Sequence, residues 1–159
     1  MIVVSDSSPL ICFAILGKLE IFEYVFSDFI VPQAVYNEIA ISDKPFADIL
    51  VAFLKNKVRP VKNDIATKIL NAEIDLGESE AIVLALESGI KNVLMDDFKG
   101  RRAASANGLI PIGTVGVLIR AKQMNLIHEI KPLLDLLLKN KIRISDSLYQ
   151  KALVLAEEE

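Results

Sequence analysis

The feature that most constrains this chain is the alternation of short apolar runs with helical patterns. The five segments, each three or four residues long, are 1–4, 29–31, 58–61, 92–95 and 109–112; Arg59 interrupts the third and Asn92 begins the fourth. Short, uninterrupted apolar runs are typical of strands buried on both faces, and strands that alternate with helices indicate a parallel sheet. The sequence therefore predicts an α/β fold with a central, mostly parallel sheet covered by helices on both faces. Pro60 makes 58–61 a candidate edge strand.

Length and hydropathy predict one domain spanning residues 1–159. The chain has 159 residues, 52% of them hydrophobic, which is ample for a core. Two helical patterns, about 127–139 and 146–157, form a tail that we expect to pack on or extend the domain. No apolar run approaches the roughly 20 residues needed to cross a bilayer, and the start lacks the features of a secretory signal. We expect a cytoplasmic protein with no membrane contact.

Cysteine and histidine usage narrows the chemistry that this chain can perform. A single cysteine, Cys12, excludes an internal disulfide and any zinc site built on cysteines. It lies in an apolar helix and is expected to be a core residue. A single histidine, His128, argues against a His-rich metal site and a Ser-His-Asp mechanism, and we expect it at the surface. The net charge of −3 does not suit non-specific coating of nucleic acid, so any such contact needs a local basic patch.

Acidic residues follow two of the predicted strands. Asp6 ends the first run, and the pair Asp96–Asp97 ends the run 92–95. Because parallel strands end at the same edge of a sheet, these carboxylates are expected at one edge, where ligand sites form. Each could instead be a turn or helix-capping residue, although one helix can use only one of the tandem pair. Ser8 and Pro9 predict the start of the first helix, as N-cap and first helical residue.

Two further acidic positions lie in predicted helices. Glu78 and Glu80 follow Gly77 in the first turn of a helix, where the helix dipole favours negative charge. Residues two apart do not share a helix face, and Glu80 lies nearer the apolar side, where a carboxylate needs a partner. Glu38 lies in the helix after the second strand and, considered alone, could be an exposed residue.

Carboxylates brought together in this way would favour a divalent cation. They would repel one another and raise each other's pKa values, and a cation would relieve that repulsion. A donor set without histidine or cysteine points to Mg²⁺ or Mn²⁺. Such a site can activate water for displacement at a phosphodiester, and it needs no nucleophilic side chain.

The basic and hydroxyl residues support a phosphate substrate more weakly. Lys99, Arg101 and Arg102 crowd the first turn of the helix after Asp97, where the helix dipole disfavours cations. Phosphate or RNA binding, or pairing with the acidic residues, would explain them; solvated surface charge is the alternative. A second basic cluster is expected to be a solvated edge: Lys55, Lys57, Arg59 and Lys62.

Two hydroxyl residues lie near the predicted acidic edge. Ser7 follows Asp6 directly, and Thr114 follows the last strand. Either could hydrogen-bond a carboxylate or a bound water molecule. Thr114 could instead be the N-cap of the next helix.

Five segments, in this order, resemble the PIN domain family, and most closely its DUF3368 subgroup, which is related to VapC-type toxins. The resemblance covers nearly the whole chain, up to about residue 156. The segments are Val3–Leu10, Val31–Ile39, Leu76–Ala85, Leu94–Ala104 and Gly113–Leu118. It implies a three-layer α/β/α sandwich, an acidic cluster that binds Mg²⁺ or Mn²⁺, ribonuclease activity on single-stranded RNA, frequent homodimers and frequent antitoxin partners.

The resemblance also implies roles for the acidic residues. Asp6 corresponds to the first metal ligand and Glu38 to the second acidic residue. Glu80 corresponds to the third, with Glu78 as the alternate. Asp97 corresponds to the fourth, with Asp96 as the alternate and a further candidate ligand.

The leading hypothesis is a metal-dependent endoribonuclease, the toxin of a toxin–antitoxin pair. In it Asp6, Glu80 and Asp97 hold the ion and Glu38 tunes it. The alternative is a non-catalytic PIN-like module that binds RNA or protein. A receiver-like phosphoacceptor domain ranks below both, because the first strand offers a single aspartate and no lysine ends the last strand. Leucines at positions 133, 134, 136, 137 and 138 exceed the need of one core face and predict a helix-mediated homodimer.

Overall fold

The computed structural model describes all residues, 1–159, and contains five strands and ten helices. The strands are β1 (Ile2–Ser5), β2 (Asp28–Pro32), β3 (Val58–Arg59), β4 (Asn92–Leu94) and β5 (Ile110–Ile112). The helices are α1 (Ser7–Leu16), α2 (Ile21–Val25), α3 (Gln33–Ala40), α4 (Ala47–Phe53), α5 (Asp64–Asn71), α6 (Leu76–Ser88), α7 (Phe98–Ala106), α8 (Thr114–Gln123), α9 (Lys131–Lys139) and α10 (Asp146–Leu155). None of the ten helices combines the length and the apolar character that a membrane crossing requires.

The strands form one parallel sheet in the order β3-β2-β1-β4-β5. This confirms the predicted α/β fold, and β3, the segment before Pro60, is at the edge. The chain leaves β1 toward β2 on one side, whereas β4 pairs with β1 on the other. The carboxyl ends of β1 and β4 therefore flank the point where the strand order reverses, which is where open α/β sheets bind ligands.

Two apolar clusters, one on each face of the sheet, explain the uninterrupted apolar runs. Val3 and Leu94 belong to a cluster of 26 buried residues, whereas Val4 and Val93 belong to one of 10 buried residues. Successive strand residues point to opposite faces, so a strand covered on both sides must be apolar throughout. The larger cluster includes residues of α1, α8, α9 and α10, and the smaller includes residues of α6 and α7. The predicted three-layer sandwich is confirmed.

The C-terminal helices are part of the larger core. Helix α9 packs on α1 and α10 packs on α8. Leu134 and Leu137 are buried in the larger cluster, whereas Leu136 and Leu138 are more than a third exposed. The Glu158 carboxylate accepts a hydrogen bond from the Ile130 backbone N–H at 2.8 Å, which fixes the end of the chain to the start of α9. The homodimer inferred from the leucines stays a prediction.

The start of α1 differs from the sequence-based expectation. Ser8 is not the N-cap, and Pro9 is not the first helical residue, because the helix begins at Ser7 with Asp6 in the N-cap position. The Ser8 hydroxyl instead donates a hydrogen bond to Asp96 Oδ2 at 2.9 Å. A long-range partner has therefore replaced the local cap, which nothing in the local sequence indicates.

Candidate active site

Asp6 lies at the centre of a group of acidic side chains at the carboxyl end of β1. The Asp6 backbone N–H donates to the Leu94 carbonyl oxygen at 2.9 Å, which holds this turn beside the end of β4. The residue is only 5% exposed. We define the acidic group as Asp6 and the carboxylates around it: Asp6, Glu38, Asp75, Glu78 and Asp97.

The Asp6 carboxyl is buried without a neutralising cation. Its pKa is raised from 3.8 to about 8, by burial first and then by the charges of Asp75, Glu78 and Glu38, against a hydrogen bond from the Ser7 backbone N–H that lowers it. The structure contains two salt bridges, Lys57–Asp28 and Lys122–Glu158, and neither involves the acidic group. The protein thus brings carboxylates together and leaves their charge uncompensated.

Gly77 permits the close approach of two of these carboxylates. A Cβ atom at this position would lie 3.3 Å from Glu38 Oε2 and 3.4 Å from Asp6 Oδ1. Both distances are at or below van der Waals contact, so a side chain would crowd the two carboxylates. The first turn of α6 therefore packs directly against the Asp6 and Glu38 side chains because residue 77 has no side chain.

Glu78 connects the centre of the acidic group to Asp97. It is buried, and its pKa is raised to about 7 by burial first, then by the charge of Asp75, with a smaller contribution from Asp97. Asp75 and Glu78 form a reciprocal capping box: the Glu78 N–H donates to Asp75 Oδ1 at 2.8 Å and the Asp75 N–H to Glu78 Oε2 at 3.2 Å. This box fixes both side chains at the start of α6.

Glu80 is not among the carboxylates whose charge raises the pKa of Asp6, and the role that the family resemblance implies for it stays a prediction. Its carboxylate accepts a hydrogen bond from the Ala34 backbone N–H at 3.0 Å, which joins α6 to the start of α3. It lines a second hollow, of about 420 Å³, and Glu38 and Asp75 of the acidic group line the same hollow. Because residues two apart on a helix face different directions, only one of Glu78 and Glu80 can point at Asp6, and the structure places Glu78 there.

The tandem aspartates after β4 have different partners. Asp97 is the N-cap of α7, where Oδ2 accepts from the Gly100 N–H at 3.1 Å. Asp96 accepts from the Thr114 backbone N–H and hydroxyl, both at 2.7 Å, and from the Ser8 hydroxyl. Thr114 is not the N-cap, since Gly113 holds that position in α8. Asp96 therefore holds the starts of α1 and α8 together, whereas Asp97 belongs to the acidic group.

Ser7 contributes to the acidic group through its hydroxyl as well as its backbone. Burial, and then the charge of Asp75, raise the pKa of Glu38, whereas a hydrogen bond from the Ser7 side chain lowers it. Ser7 is itself buried. Ser7 thus provides donors to Asp6 and Glu38, the kind of supporting contact that the sequence suggested.

The three basic residues singled out in the sequence do not line the acidic cleft. Arg101 donates to the Met95 carbonyl oxygen at 3.0 Å and lies against Gly113. Lys99 and Arg102 line a separate hollow beside Ile69. The predicted phosphate-binding role is not supported by these positions, because successive residues on α7 point in different directions and none of the three faces the cleft.

The cleft above the acidic group has a volume of about 700 Å³, and its only basic lining residues are Lys141 and Arg143. Sequence reasoning missed both, because they lie in a short connection between α9 and α10. It also missed Asp75, although the spacing Asp75-x-x-Glu78 before an apolar run is the signature of a capping box. Four members of the acidic group line the cleft, Asp6, Asp75, Glu78 and Asp97, and Asp96 lines it beside them.

The donor chemistry of the site fits a divalent cation, although its side chains as placed do not enclose one. No group of three His, Cys, Asp or Glu residues is spaced to hold a metal ion. The acidic group offers only carboxylate oxygens, which Mg²⁺ and Mn²⁺ prefer. The pKa values of Asp6 and Glu78 are raised by burial first and by neighbouring carboxylates second, and a bound cation would favour the deprotonated form of both groups.

Comparison with known families agrees with this fold. The family model DUF3368, described as a PIN domain, matches residues 2–158. The chain therefore belongs to the PIN domain family, as its sequence segments predicted. PIN domains are generally nucleases and typically use divalent metal ions, so the family indicates a nuclease-type function. A search of curated proteins found no match.

Proposed function

We propose that the protein is a metal-dependent endoribonuclease that cleaves phosphodiester bonds of single-stranded RNA. One observation carries the proposal. The buried Asp6 carboxyl, with its pKa raised to about 8, stands among three further carboxylates at the strand-order reversal of the sheet. A structural role would be served better by a hydrogen-bonded or apolar residue, since uncompensated buried charge is costly. A site for a divalent cation explains the arrangement.

In this proposal Asp6, Glu78 and Asp97 hold Mg²⁺ or Mn²⁺, and Glu38 and Asp75 adjust the position of the ligands. When bound, the ion activates water and stabilises the charge that develops on the phosphodiester. Asp6 loses its proton as the ion binds, since a metal ligand must be deprotonated. The Asp75–Glu78 capping box and the Ser7 donors keep the carboxylates in place.

The test is cleavage of a mixed-sequence single-stranded RNA in Mn²⁺, Mg²⁺ or EDTA. The wild type is compared with Asp6→Asn and with a matched control, Asp43→Asn, at an exposed position outside the cleft. We expect cleavage that needs metal, disappears in Asp6→Asn and persists in the control. Cleavage that survives in EDTA, or in Asp6→Asn, would contradict the mechanism.

Absence of cleavage under every metal condition would favour the alternative, a non-catalytic module that binds RNA or protein. Calorimetric titration of Mn²⁺ into wild type and Asp6→Asn then decides whether the acidic group holds an ion. Heat of binding in the wild type but not in Asp6→Asn would support the proposed metal site. No heat of binding in either protein would contradict it.

We further propose that the nuclease is a cytoplasmic homodimer and the toxin of a toxin–antitoxin pair. The partly exposed Leu136 and Leu138 on α9 are candidates for the dimer contact. Expression should arrest growth, and Asp6→Asn should relieve the arrest. Sedimentation should give a dimer that becomes a monomer in Leu136→Glu/Leu138→Glu; a wild-type monomer at micromolar concentration would contradict the dimer.

A further inference from the structure

We infer that the RNA strand is held in the acidic cleft by two elements outside the acidic group: a basic strip, Lys141 and Arg143, and the exposed ring of Phe98. All three residues line the cleft together with Asp6 and Asp97. The inference rests on the proposed function, because it names the surfaces that would position the substrate of that same site.

The packing of the connection between α9 and α10 orients the two side chains of the basic strip. Between α9 and α10, Lys141 and Arg143 are exposed, whereas the alternating Ile142 and Ile144 are partly buried against the larger core. Lys141 has a left-handed backbone with φ of 66°, and the next backbone N–H, that of Ile142, donates to the Leu137 carbonyl oxygen at 3.0 Å. All four residues line the cleft; the isoleucines anchor the connection to the core, and the two cationic side chains are the exposed ones.

The two cations of the strip are unpaired although carboxylates line the same cleft. Neither Lys141 nor Arg143 takes part in a salt bridge. A phosphodiester entering the cleft would be repelled by the acidic group, and these are the only basic side chains along its lining. Cations that stay free of the protein's own carboxylates are available to phosphates, the groups that dominate the affinity of nucleic-acid binders.

Phe98 supplies a surface for a base. It is the first residue of α7, directly after Asp97, and it is 71% exposed. The guanidinium carbon of Arg102 lies 5.7 Å from the centre of its ring, so a cation supports the aromatic side chain. Unpaired bases stack on exposed aromatic rings, and a positive strip combined with such a ring is the usual arrangement for single-strand binding. The ring therefore selects a strand whose bases are free.

The first experiment tests the basic strip through the salt dependence of RNA binding. Fluorescence anisotropy follows binding of a labelled single-stranded RNA of about 12 nucleotides, within the usual site sizes. The full-length protein carries Asp6→Asn to prevent cleavage and is kept in Mg²⁺. Lys141→Ala/Arg143→Ala should flatten the slope of log affinity against log salt by about 1.4, since each phosphate contact contributes roughly 0.7. The charge-matched control Lys55→Ala/Lys62→Ala, at exposed positions outside the cleft, should leave the slope unchanged.

The second experiment tests whether the Phe98 ring stacks on a base, by comparing a strand that has bases with one that lacks them. Phe98→Ala should weaken binding about tenfold, and Phe98→Leu nearly as much, because stacking needs the aromatic face. On an abasic ribose-phosphate strand of the same length, both substitutions should have no effect, whereas the double substitution of the strip should keep its effect. A purely structural role of Phe98 would weaken both strands equally.

The outcomes separate this inference from the proposed nuclease. A strip variant with the salt slope of the control, or a Phe98 effect that persists on the abasic strand, would overturn the corresponding element. If both effects appear but the wild type cleaves no RNA, the binding surface stands and the nuclease proposal fails. If the wild type cleaves and neither effect appears, the nuclease stands and the strand lies elsewhere.

Discussion

Asp6 and Asp96 follow neighbouring strands at the same edge of the sheet, yet their surroundings are opposite. Asp96 accepts three hydrogen bonds, from Ser8 and from the backbone and hydroxyl of Thr114. Asp6 is surrounded by three carboxylates and has its pKa raised to about 8 by burial and by their charge. The protein supplies Asp96 with its partners, whereas the partner that we propose for Asp6 is a cation from solution. The end of a strand determines where a carboxylate lies, and its neighbours determine what it does.

The largest expected effect separates the two aspartates by activity. Asp6→Asn should reduce RNA cleavage at least about 10⁴-fold, as loss of an essential catalytic residue commonly does. Asp96→Asn should retain cleavage, because Asp96 already has its partners within the protein. Initial rates in Mn²⁺ for both variants provide the measurement. Equal losses in two folded variants would remove the distinction between the residues.

The second effect is a pH dependence of stability in the metal-free protein. The pKa of Asp6 is about 8 in the folded protein and has its ordinary value of 3.8 in the unfolded chain, so the folded state retains a proton that the unfolded state has lost. Its contribution to stability is full below pH 3.8 and declines as pH rises to about 8, by up to roughly 6 kcal/mol for the whole shift. Glu78, with a pKa raised to about 7, acts in the same direction.

Urea unfolding in EDTA between pH 4 and 9 measures this decline. Asp6→Asn does not titrate at position 6, so the variant should gain stability relative to the wild type as pH rises across that window. Added Mn²⁺ should restore the wild type near pH 8. A wild-type–minus–variant difference that does not change with pH would contradict the uncompensated charge at Asp6.

The third effect separates the two aspartates by stability. Asp96→Asn should cost about 1–3 kcal/mol, because the amide NH₂ group cannot accept all the hydrogen bonds that the carboxylate receives. Thr114→Val removes only the hydroxyl donor and should cost less. Thermal unfolding at a fixed pH near 5, where the Asp6 carboxyl is protonated, compares these variants. An unchanged melting temperature in Asp96→Asn would show that Asp96 does not hold α1 and α8 together.

The smallest effect compares Gly77, which lies between Asp6 and Glu38, with Gly116 in α8. Gly116→Ala, where a Cβ would lie 3.7 Å from its nearest neighbour, should stabilise α8 by about 0.5–1 kcal/mol through helix propensity. Gly77→Ala should gain nothing, because its Cβ would crowd Glu38 and Asp6 at 3.3 and 3.4 Å. Chemical denaturation of both variants tests this difference. An equal gain in stability at both positions would show that the carboxylates of Asp6 and Glu38 move aside without destabilising the protein.

The elements of the fold could be predicted from the sequence because their causes are local. Short, largely apolar segments marked all five strands, and β1 and β4 are buried on both faces as expected, whereas Ile110 in the edge strand β5 is 55% exposed. Gly17 and Gly89 end α1 and α6 with left-handed backbones (φ 65° and 67°), the conformation in which a glycine commonly ends a helix. Strand alternation with helices then implied parallel pairing, and so the edge at which Asp6 and Asp97 meet.

The partners of each polar side chain were decided by the tertiary structure. Ser8 has the local features of an N-cap, but packing brings Asp96 within hydrogen-bonding distance of it. The sequence allowed one cap from the pair Asp96–Asp97; only the approach of α8 shows that Asp96 binds Thr114 while Asp97 caps α7. The contacts of Asp96 join residues 18 or more apart in sequence, where local pattern carries no information.

The sequence by itself therefore determined the α/β fold, the family and the edge of the sheet at which the carboxylates lie. Strand burial and the alternation of strands with helices could be predicted because both follow from short-range patterns. The tertiary structure alone decided that Glu78 rather than Glu80 faces Asp6, and that Lys141 and Arg143 rather than Lys99 and Arg102 line the cleft. The physical reason is the direction in which each side chain points. Successive helix residues point about 100° apart, and the direction of a side chain toward a site depends on how its helix or connection packs against the rest of the chain.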